Sequence, residues 1–316
     1  SEEDVGEWTQ ETYNETSDQY YLVFSPLDIA ALHYLYGPNP ASRAGDNTYD
    51  YSSTDANFIW DGAGTDTIDA SSATEKVTIY LEPGYWGFGG DAKADKITSN
   101  GQITVNFGTV IENLTGSNYD DKLVGNTSNN ELSGGYGNDT LYGGDGADKF
   151  DKVSKYGDDT FYGGKGDDQY YFTTSYDGGS DTIIEYENEG FDYVHTDASF
   201  SLEDIANVEA LYSYSNITAD LSLTGNDLDN LFYPSKGNCV IDGKDGVDRV
   251  TYYWDWSRAD CSIFKINGVL KVTKGNGNTD TLINIEKISF SDQTVTISEL
   301  QLDLIVLEFS PSDDAT

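Results

Sequence analysis

Large apolar residues recur at a regular interval in the middle of the chain, between Gly116 and Tyr171. They stand at the eighth position of six nine-residue segments, and Lys152 and Val153 are added between the fourth and fifth segments. The six residues are Leu123, Leu132, Leu141, Phe150, Phe161 and Tyr170. Successive side chains of a strand point to opposite faces, so the middle residue of a three-residue strand points inward when its neighbours point outward. The pattern therefore predicts short parallel strands, with two repeats forming each coil of a β-roll.

The residues between these strands are polar and rich in glycine, which permits the backbone angles that tight turns require. The sixth position of each repeat bears a carboxylate or an amide: Asp121, Asn130, Asp139, Asp148, Asp159 and Asp168. Because two repeats make one coil, residues about eighteen apart stack along one edge at the spacing of neighbouring strands, roughly 4.8 Å. We therefore expect Asp121 to lie over Asp139, and Asp148 over Asp168.

Stacked carboxylates repel one another unless a cation lies between them, and the residues of these turns suit calcium. Ca²⁺ prefers about six to eight oxygen ligands, which carboxylates and turn carbonyls supply together. A glycine-rich linker, the alternative, would not keep apolar residues in register through six copies. The predicted ligands in this array are Gly116, Asp121, Asn130, Gly134, Tyr136, Gly137, Asp139, Gly143, Asp145, Gly146, Asp148, Gly157, Asp159, Gly163, Gly166 and Asp168.

Weaker copies of the pattern follow Phe172. The segments GNDLDNLFY, PSKGNCVID and GKDGVDRVT begin at Gly225, Pro234 and Gly243. Their inward positions remain apolar, namely Phe232, Ile241 and Val250, whereas their sixth positions are Asn230, Cys239 and Asp248. Because most carboxylates are lost, this second roll is predicted to bind calcium weakly, with Asp248 as the best remaining ligand.

Two shorter motifs also recur. Asp66-Thr67-Ile68 returns as Asp181-Thr182-Ile183 and Asp280-Thr281-Leu282, and Ile111-Glu112 returns as Val208-Glu209 and Ile285-Glu286. Strands around 262–272 and 294–297 are expected to cap the solenoid, because an open end would expose strand edges. The predicted fold is therefore all-β: a right-handed parallel β-roll, or β-solenoid, with calcium in its turns, two rolls in series and capping strands.

One short N-terminal helix is predicted from Ser25 to Tyr36. Ser25 suits the N-cap, Pro26 the first helical position, and Asp28 complements the helix dipole. Apolar residues form a stripe along it: Leu27, Ala30, Ala31, Leu32, Tyr34 and Leu35. Residues 1–20 are polar and acidic without apolar periodicity, and they predict an arm. The chain thus divides into an arm and helix (1–40), a calcium roll (41–172), a second, degenerate roll (173–251) and a C-terminal cap (252–316).

The acidic composition narrows the classes of partner. The chain has 56 acidic and 17 basic residues and a formal charge of −39, which would repel nucleic acid and anionic membranes. No apolar run reaches the length of a membrane span. Its 24 Tyr, 13 Phe and 5 Trp argue against disorder, so folding is expected to wait for cations that neutralise the carboxylates. There is no methionine, and we expect a processed or trimmed piece of a longer protein, or a chain that lacks its initiator.

Four segments resemble a known family. SPLDIAALHYLYGPN, SRAGDNTYDY, WDGAGTDTIDAS and VIENLTGSNYDDKLVGN resemble, in this order, the C-terminal half of serralysin-type secreted zinc metallopeptidases, and the similarity covers roughly residues 25–172. In that family the helix closes the catalytic domain, and the segments after it open a calcium-binding RTX β-roll domain. The resemblance implies further calcium ligands where residues match: Arg43, Gly45, Asn47, Asp61, Ala63, Asp66 and Glu112. Ala63 stands where the family usually has glycine.

Zinc catalysis is not expected in this chain. Zinc peptidases of this class need HExxHxxGxxH and a methionine turn, whereas the chain has only His33 and His195 and no methionine. Neither histidine has a partner at ligand spacing, so both are predicted to be structural. Cys239 and Cys261 are as compatible with a disulfide as with two separate buried thiols.

Two further segments suggest partners. Tyr252, Tyr253, Trp254 and Trp256 form either a hydrophobic cap, which we favour, or a polysaccharide-binding surface. The apolar segment 302–309 and the acidic end after it resemble an export signal of type I secretion, which implies the type I secretion machinery as a partner.

Three functions are compatible with these sequence features. The first, which we favour, is a non-catalytic calcium-binding RTX module that folds on calcium outside the cell. The second is an extracellular structural or adhesive building block, such as a surface layer, filament or adhesin, that self-assembles with calcium. The third is the C-terminal portion of a secreted zinc metallopeptidase. In each case the expected location is outside the cell or on its surface.

Overall fold

The computed structural model describes residues 9–14, 19–24, 26–37, 39–41, 43–150, 157–172, 180–214, 216–252, 256–300 and 304–305. They divide into two compact units. The first comprises the described residues up to Asp148 together with 157–162 and 180–181, and the second comprises Lys149, Phe150, 163–172 and the described residues from Thr182 onward.

The elements of the first unit are nearly all short strands. They are β1 (Thr9–Asn14), β2 (Gln19–Phe24), α1 (Pro26–Tyr36), β3 (Thr48–Asp50), β4 (Asn57–Ile59), β5 (Thr67–Asp69), β6 (Val77–Tyr80), β7 (Gly87–Gly89), β8 (Gln102–Val105), β9 (Asn113–Thr115), β10 (Lys122–Val124), β11 (Glu131–Ser133) and β12 (Thr140–Asp145).

The second unit continues with β13 (Lys149–Phe150), and β14 (Thr160–Lys165) has residues in both units. The remaining elements are β15 (Gln169–Phe172), β16 (Thr182–Ile184), β17 (Tyr193–Thr196), β18 (Phe200–Ser201), β19 (Ala210–Ser213), β20 (Ser222–Thr224), β21 (Leu231–Tyr233), β22 (Val240–Asp242), β23 (Arg249–Thr251), β24 (Ser262–Ile266), β25 (Val269–Thr273), β26 (Thr279–Ile283), β27 (Lys287–Ser289), β28 (Thr294–Thr296) and β29 (Leu304–Ile305), with 3₁₀ turns at Arg258–Asp260 and Ile297–Glu299.

Parallel pairing between successive coils builds both units. In the first, β3, β5, β9 and β11 pair in parallel along one face, and β6, β10 and β12 pair in parallel along another. Strand β7 pairs antiparallel with both β6 and β8. In the second, β13, β15, β17, β19, β21, β23 and β27 pair in parallel, and so do β18, β20, β22 and β26. The predicted all-β parallel solenoid is confirmed.

The predicted apolar positions form the core. Leu114 and Leu132 are paired between β9 and β11, and Leu123 and Leu141 between β10 and β12. In the second unit Phe150 and Tyr170 stack with ring centroids 4.9 Å apart. All six inward residues of the repeats are at most 1% exposed, as are Phe232, Ile241 and Val250. One apolar residue per repeat therefore supplies the interior along each unit.

The elements near the two ends of the chain can be compared with the sequence predictions. Helix α1 is present as expected, although Leu32, Tyr34 and Leu35 of its apolar stripe are exposed. Within the predicted arm, β1 pairs antiparallel with β2, and the Thr and aromatic residues there favour strands. Strands β24, β25 and β28 lie where capping strands were predicted, and each pairs antiparallel with a neighbour.

Candidate calcium sites at the turns

The position-six side chains stack along the first unit as the repeat spacing predicts. The backbone N–H of Asp121 donates to Asp139 Oδ1 over 2.8 Å, and that of Asp139 donates to Asp159 Oδ1 over 2.8 Å. The N–H of Asp159 donates in turn to Asp181 Oδ1 over 2.9 Å. Each carboxylate therefore uses one oxygen to hold the turn of the neighbouring coil. The predicted pair of Asp148 and Asp168 involves residues of different units and stays a prediction.

The second oxygen of Asp139 is what makes these turns candidate metal sites. Asp139 is 1% exposed, and no described residue donates a hydrogen bond to its Oδ2. Burial raises the pKa of Asp139 to about 8, and the neighbouring charges of Asp159 and Asp121 add to the effect. A buried carboxylate oxygen without a donor is costly unless a cation compensates it. The donor set, a carboxylate beside turn carbonyls, fits calcium.

Glycine brings the successive turns this close together. Gly137 has a φ of +114°, and a Cβ added there would lie 2.5 Å from the carbonyl carbon of Tyr119 in the next turn. A Cβ on Gly116 would likewise collide with the carbonyl oxygen of Gly134. The close approach of turn backbones is what allows their carbonyls to converge on one ion.

The other edge of the first unit carries a neutral variant of the same arrangement. The N–H of Asn130 donates to Asp148 Oδ1 over 2.7 Å, and Asn130 Nδ2 donates to Glu112 O over 3.1 Å. An amide at position six therefore supplies its own donor, so this turn needs less compensation by a cation than that of Asp139. Asn130 was among the predicted ligands. The side-chain atom through which it could bind a cation is Oδ1, which already accepts a hydrogen bond from Asn126 N over 2.8 Å.

A separate site near β3 and β5 gathers the residues that the family resemblance implied. Asp66 is fully buried, and its Oδ1 accepts from Asn47 N over 2.8 Å. The N–H of Asp66 donates to Glu112 Oε2 over 2.8 Å. Its Oδ2 has no hydrogen-bond partner among the residues that the structure describes, and burial raises its pKa. Asn47, Asp66 and Glu112 thus lie together, as expected.

Asp61 and Arg43 complete the surroundings of this site. Asp61 is 2% exposed, and it accepts hydrogen bonds from the Tyr49 hydroxyl and, over 2.9 Å, from the backbone of Ala63. Burial and the hydrogen bond to Asp61 raise the pKa of Tyr49 to about 12. The Arg43 guanidinium donates to Trp60 O over 3.1 Å and lies 4.0 Å from the centre of the Trp60 ring.

The second unit contains a carboxylate cluster in which Asp168 was a predicted ligand and two other members were not. Asp168, Glu185 and Asp192 are buried, and each offers a carboxylate oxygen within 4.8 Å of the others. Asp168 N donates to Asp192 Oδ1 over 2.8 Å, and the Tyr170 hydroxyl donates to Glu185. Burial raises the pKa of Glu185 to about 8 and that of Asp192 to about 7.

Asp248, the best remaining ligand predicted for the second roll, has hydrogen-bond partners like those of Asp66. It is fully buried, accepts from Asn230 N over 2.7 Å and donates its own N–H to Glu286 Oε2 over 2.8 Å. Its Oδ2 lacks a donor within the described part of the chain, and burial raises its pKa to about 7. Glu286 therefore stands to Asp248 as Glu112 stands to Asp66, which explains the recurring Ile-Glu motif.

The other predicted ligands lie in or beside the turns of the array. Tyr136 is 38% exposed, and Asp145 lies at the exposed end of β12. The predicted turn glycines with left-handed backbone are Gly137, Gly146, Gly157 and Gly166. The remaining predicted glycines of the array are Gly116, Gly134, Gly143 and Gly163, and Gly45 lies in an exposed bend before β3.

The histidine, cysteine and aromatic residues have structural surroundings where they are described. His195 stacks on Tyr171 with ring centroids 4.4 Å apart, and burial lowers its pKa to about 4. Cys239 and Cys261 are free buried thiols. Tyr252 is 3% exposed, which favours the cap over the polysaccharide surface, while Tyr253 and Trp254 lie outside the described residues. So does most of the segment 302–309. Within the described chain, no helix has the length and apolarity to cross a membrane.

Comparison with known proteins identifies the repeats. The family model of the RTX calcium-binding nonapeptide repeat matches residues 51–73, 115–150 and 155–174. Serralysin C of Dickeya chrysanthemi is 33% identical over 128 residues, which are 35% of this chain and 25% of that protein. Metalloprotease AprA of Pseudomonas entomophila (strain L48) is 34% identical over 132 residues, 36% of this chain and 25% of that protein. Serralysin B of Dickeya chrysanthemi is 36% identical over 110 residues, 30% of this chain and 21% of that protein.

The matches therefore concern a limited part of each relative. The chain spans about a quarter of the length of the curated relatives it matches. It carries calcium-binding RTX repeats and resembles the C-terminal RTX region of serralysins. Glu185, Asp192, Asp248 and Glu286 lie beyond the segments that the family model matches.

Proposed function

We propose that this chain is a non-catalytic calcium-dependent folding module that acts outside the cell. The observation that carries the proposal is a buried position-six carboxylate whose second oxygen has no hydrogen-bond donor among the described residues. It occurs at Asp66, Asp139 and Asp248. Calcium bound between turns would give each of these oxygens a cation and would draw on the neighbouring turn carbonyls for the remaining ligands.

Charge couples this binding to folding. The chain has a net charge of −39, and closing the coils brings buried carboxylates such as Asp121, Asp139 and Asp159 next to one another. Without a cation, self-repulsion and desolvation oppose the compact state. Calcium binds the folded turns and not the open chain, so the free energy of binding becomes free energy of folding.

The calcium concentration on each side of the cell boundary determines where the chain folds. Extracellular calcium modules work with dissociation constants of about 10⁻⁴ to 10⁻³ M. Inside a cell, where calcium is scarce, the acidic chain stays open and suits passage through a type I secretion channel. Outside, calcium loading closes the coils in place. The secreted location and the type I machinery rest on the serralysin resemblance and on the acidic charge.

One alternative has a specific observation in its favour. The relatives are named serralysins and metalloproteases, and this chain matches about a quarter of their length. The chain is then the calcium-binding portion of a zinc peptidase whose catalytic residues lie elsewhere. Self-assembly into a surface layer or filament, with or without polysaccharide binding, is the other alternative. Sedimentation of the calcium-loaded chain distinguishes it, because a monomer excludes calcium-driven assembly.

The direct test compares the chain in chelator and in millimolar calcium, with magnesium as the control ion. We expect the far-UV circular dichroism signal of β-structure to rise with calcium and not with magnesium. The midpoint of thermal unfolding is expected to rise in parallel. A β-sheet signal and unfolding midpoint that do not change on chelation overturn the proposal.

A further inference from the structure

One turn of the second unit contains a buried lysine. The side chain of Lys274, directly after β25, is fully buried. Its ammonium donates to the carbonyl oxygens of Ser235 over 2.9 Å and Gly237 over 2.5 Å, and to Asp280 Oδ1 over 2.9 Å. An ammonium has three N–H donors, and these three acceptors use all of them.

The acceptors are those of a repeat turn. The backbone N–H of Cys239 donates to Asp280 Oδ1 over 2.8 Å, which is the bond that Asp121 makes to Asp139 in the first unit. Asp280 is therefore the position-six carboxylate of the coil that follows Cys239. Gly237 stands at position four of its repeat, like Gly137, whose carbonyl belongs to the predicted calcium ligands.

The Asp280 carboxylate differs from the calcium-type carboxylates in having both oxygens satisfied. The Tyr252 hydroxyl donates to its Oδ2 over 2.7 Å, and Lys274 and Cys239 donate to its Oδ1. The corresponding Oδ2 atoms of Asp139 and Asp248 have no donor in the described part of the chain. The charge that calcium would balance elsewhere is balanced here by the chain itself.

We propose that the Lys274 ammonium is a built-in replacement for calcium at this turn. It occupies the cation position between a position-six carboxylate and turn carbonyls, so the turns around Cys239 and Asp280 close without metal and do not accept calcium. The C-terminal coils then have an ordered edge at calcium concentrations that leave the carboxylate turns open. The repeat containing Cys239 has thus exchanged a metal ligand for a covalently attached cation.

The first test removes the ammonium and counts ions. Lys274→Met keeps a long apolar side chain but leaves the carboxylate and carbonyls facing one another. We expect the full chain with this substitution to bind one calcium ion more than the parent in equilibrium dialysis, because Ca²⁺ takes the emptied position. Lys271→Met is the matched control: Lys271 lies in β25, its ammonium donates to Thr281 Oγ1 of β26 over 2.5 Å, and we expect no added ion.

A second readout reports where the added ion binds. The Trp256 ring centre lies 5.8 Å from Lys274 Nζ, close enough for its excited state to sensitise a lanthanide bound in that position. With terbium as the probe, Lys274→Met should show tryptophan-sensitised luminescence in excess of the parent. Adding Trp256→Phe should abolish the excess while leaving the luminescence of other sites unchanged.

Both the ion count and the folding of the variants can contradict the proposal. Adding Asp280→Asn to Lys274→Met removes both charges, so the double variant should fold and should return to the ion count of the parent. An unchanged ion count in Lys274→Met overturns the proposal. So does a Lys274→Met chain that stays unfolded in saturating calcium, whether or not the double variant folds, because calcium then does not replace the ammonium. A parent chain that binds no calcium at all would refute the proposed function but not this inference.

Discussion

Asp139→Asn separates the two effects that a position-six carboxylate has on the fold. Asparagine has the same shape, and its Oδ1 still accepts from the N–H of Asp121, a bond of 2.8 Å in the parent. It removes the negative charge and with it the best calcium ligand of the turn. We therefore expect the substitution to favour folding in chelator and to oppose it in calcium, which no purely structural role would produce.

The size of the effect in chelator follows from the pKa of Asp139. Burial raises this pKa from 3.8 to about 8, so the folded chain holds the proton more tightly than the unfolded chain. A group of this kind stabilises the metal-free fold most at low pH, and the contribution is lost as pH rises from about 4 through about 8. At about 1.4 kcal/mol for each pH unit, the ionised carboxylate costs the metal-free fold on the order of 6 kcal/mol at alkaline pH. Asparagine avoids this cost.

The assay is far-UV circular dichroism of the full chain as a function of pH, in chelator and in calcium. In chelator the parent should gain β-structure as pH falls through neutrality, and Asp139→Asn should reach the same signal at a higher pH. In calcium the variant should need a higher ion concentration for half-maximal signal. Asp120→Asn is the matched control, since Asp120 is exposed in the neighbouring turn, where its Oδ1 accepts from Asn138 N over 2.9 Å. A variant that loses β-structure equally in chelator and in calcium would refute the reasoning.

Three further outcomes follow from the same geometry. Leu132→Ala, at a fully buried core position, should destabilise the calcium-loaded chain by about 3 to 5 kcal/mol in denaturant unfolding, and Glu131→Ala on the outward side of β11 should cost far less. Gly137→Ala, with φ at +114° and a Cβ 2.5 Å from the carbonyl carbon of Tyr119, should lower calcium affinity and the unfolding midpoint together; an unchanged midpoint would show that the turns have room to separate. Where low pH has folded the metal-free chain, calcium loading should release protons, because carboxyls such as Asp139, with a pKa raised to about 8, must ionise to bind the metal; potentiometric titration at constant pH measures the release, and its absence would mean that these groups are already ionised.

The core and the carboxylate stack were predictable because the nine-residue period is local. Leu123, Leu132 and Leu141 keep the interval without interruption, so their inward orientation and the stacking of Asp121 on Asp139 follow from counting residues. The recurrence of a glutamate after an aliphatic residue also had a structural cause, since Glu112 and Glu286 accept from the N–H of a position-six aspartate. Where the period holds, the turn chemistry could be read from the sequence.

Where insertions lengthen a coil, counting fails. Asp168 and Asp192 are 24 residues apart. Cys239 and Asp280 are 41 residues apart, because the antiparallel strands β24 and β25 lie between these two residues. Neither Glu185 nor Lys274 could be assigned a partner without the register of the strands. The hairpin of β1 and β2 was missed for a different reason: its residues alternate too weakly in polarity to predict burial, and only their strand propensity marks it.

The charge of the position-six side chain explains why the turns of one fold are stabilised in several ways. Asn130 is neutral and donates to a backbone carbonyl of the preceding coil, so its turn is satisfied by hydrogen bonds. Asp139 and Asp248 keep a buried oxygen to which no described residue donates, and only a proton or a metal ion makes their turns stable. Asp280 is compensated by Lys274 and Tyr252. Since the backbone bond to Oδ1 is the same at Asp139, Asp248 and Asp280, the coil geometry does not decide whether calcium binds. Whether calcium binds depends on the groups that face the second oxygen and the adjoining carbonyls. A single lysine at that position is enough to change the calcium requirement of a turn.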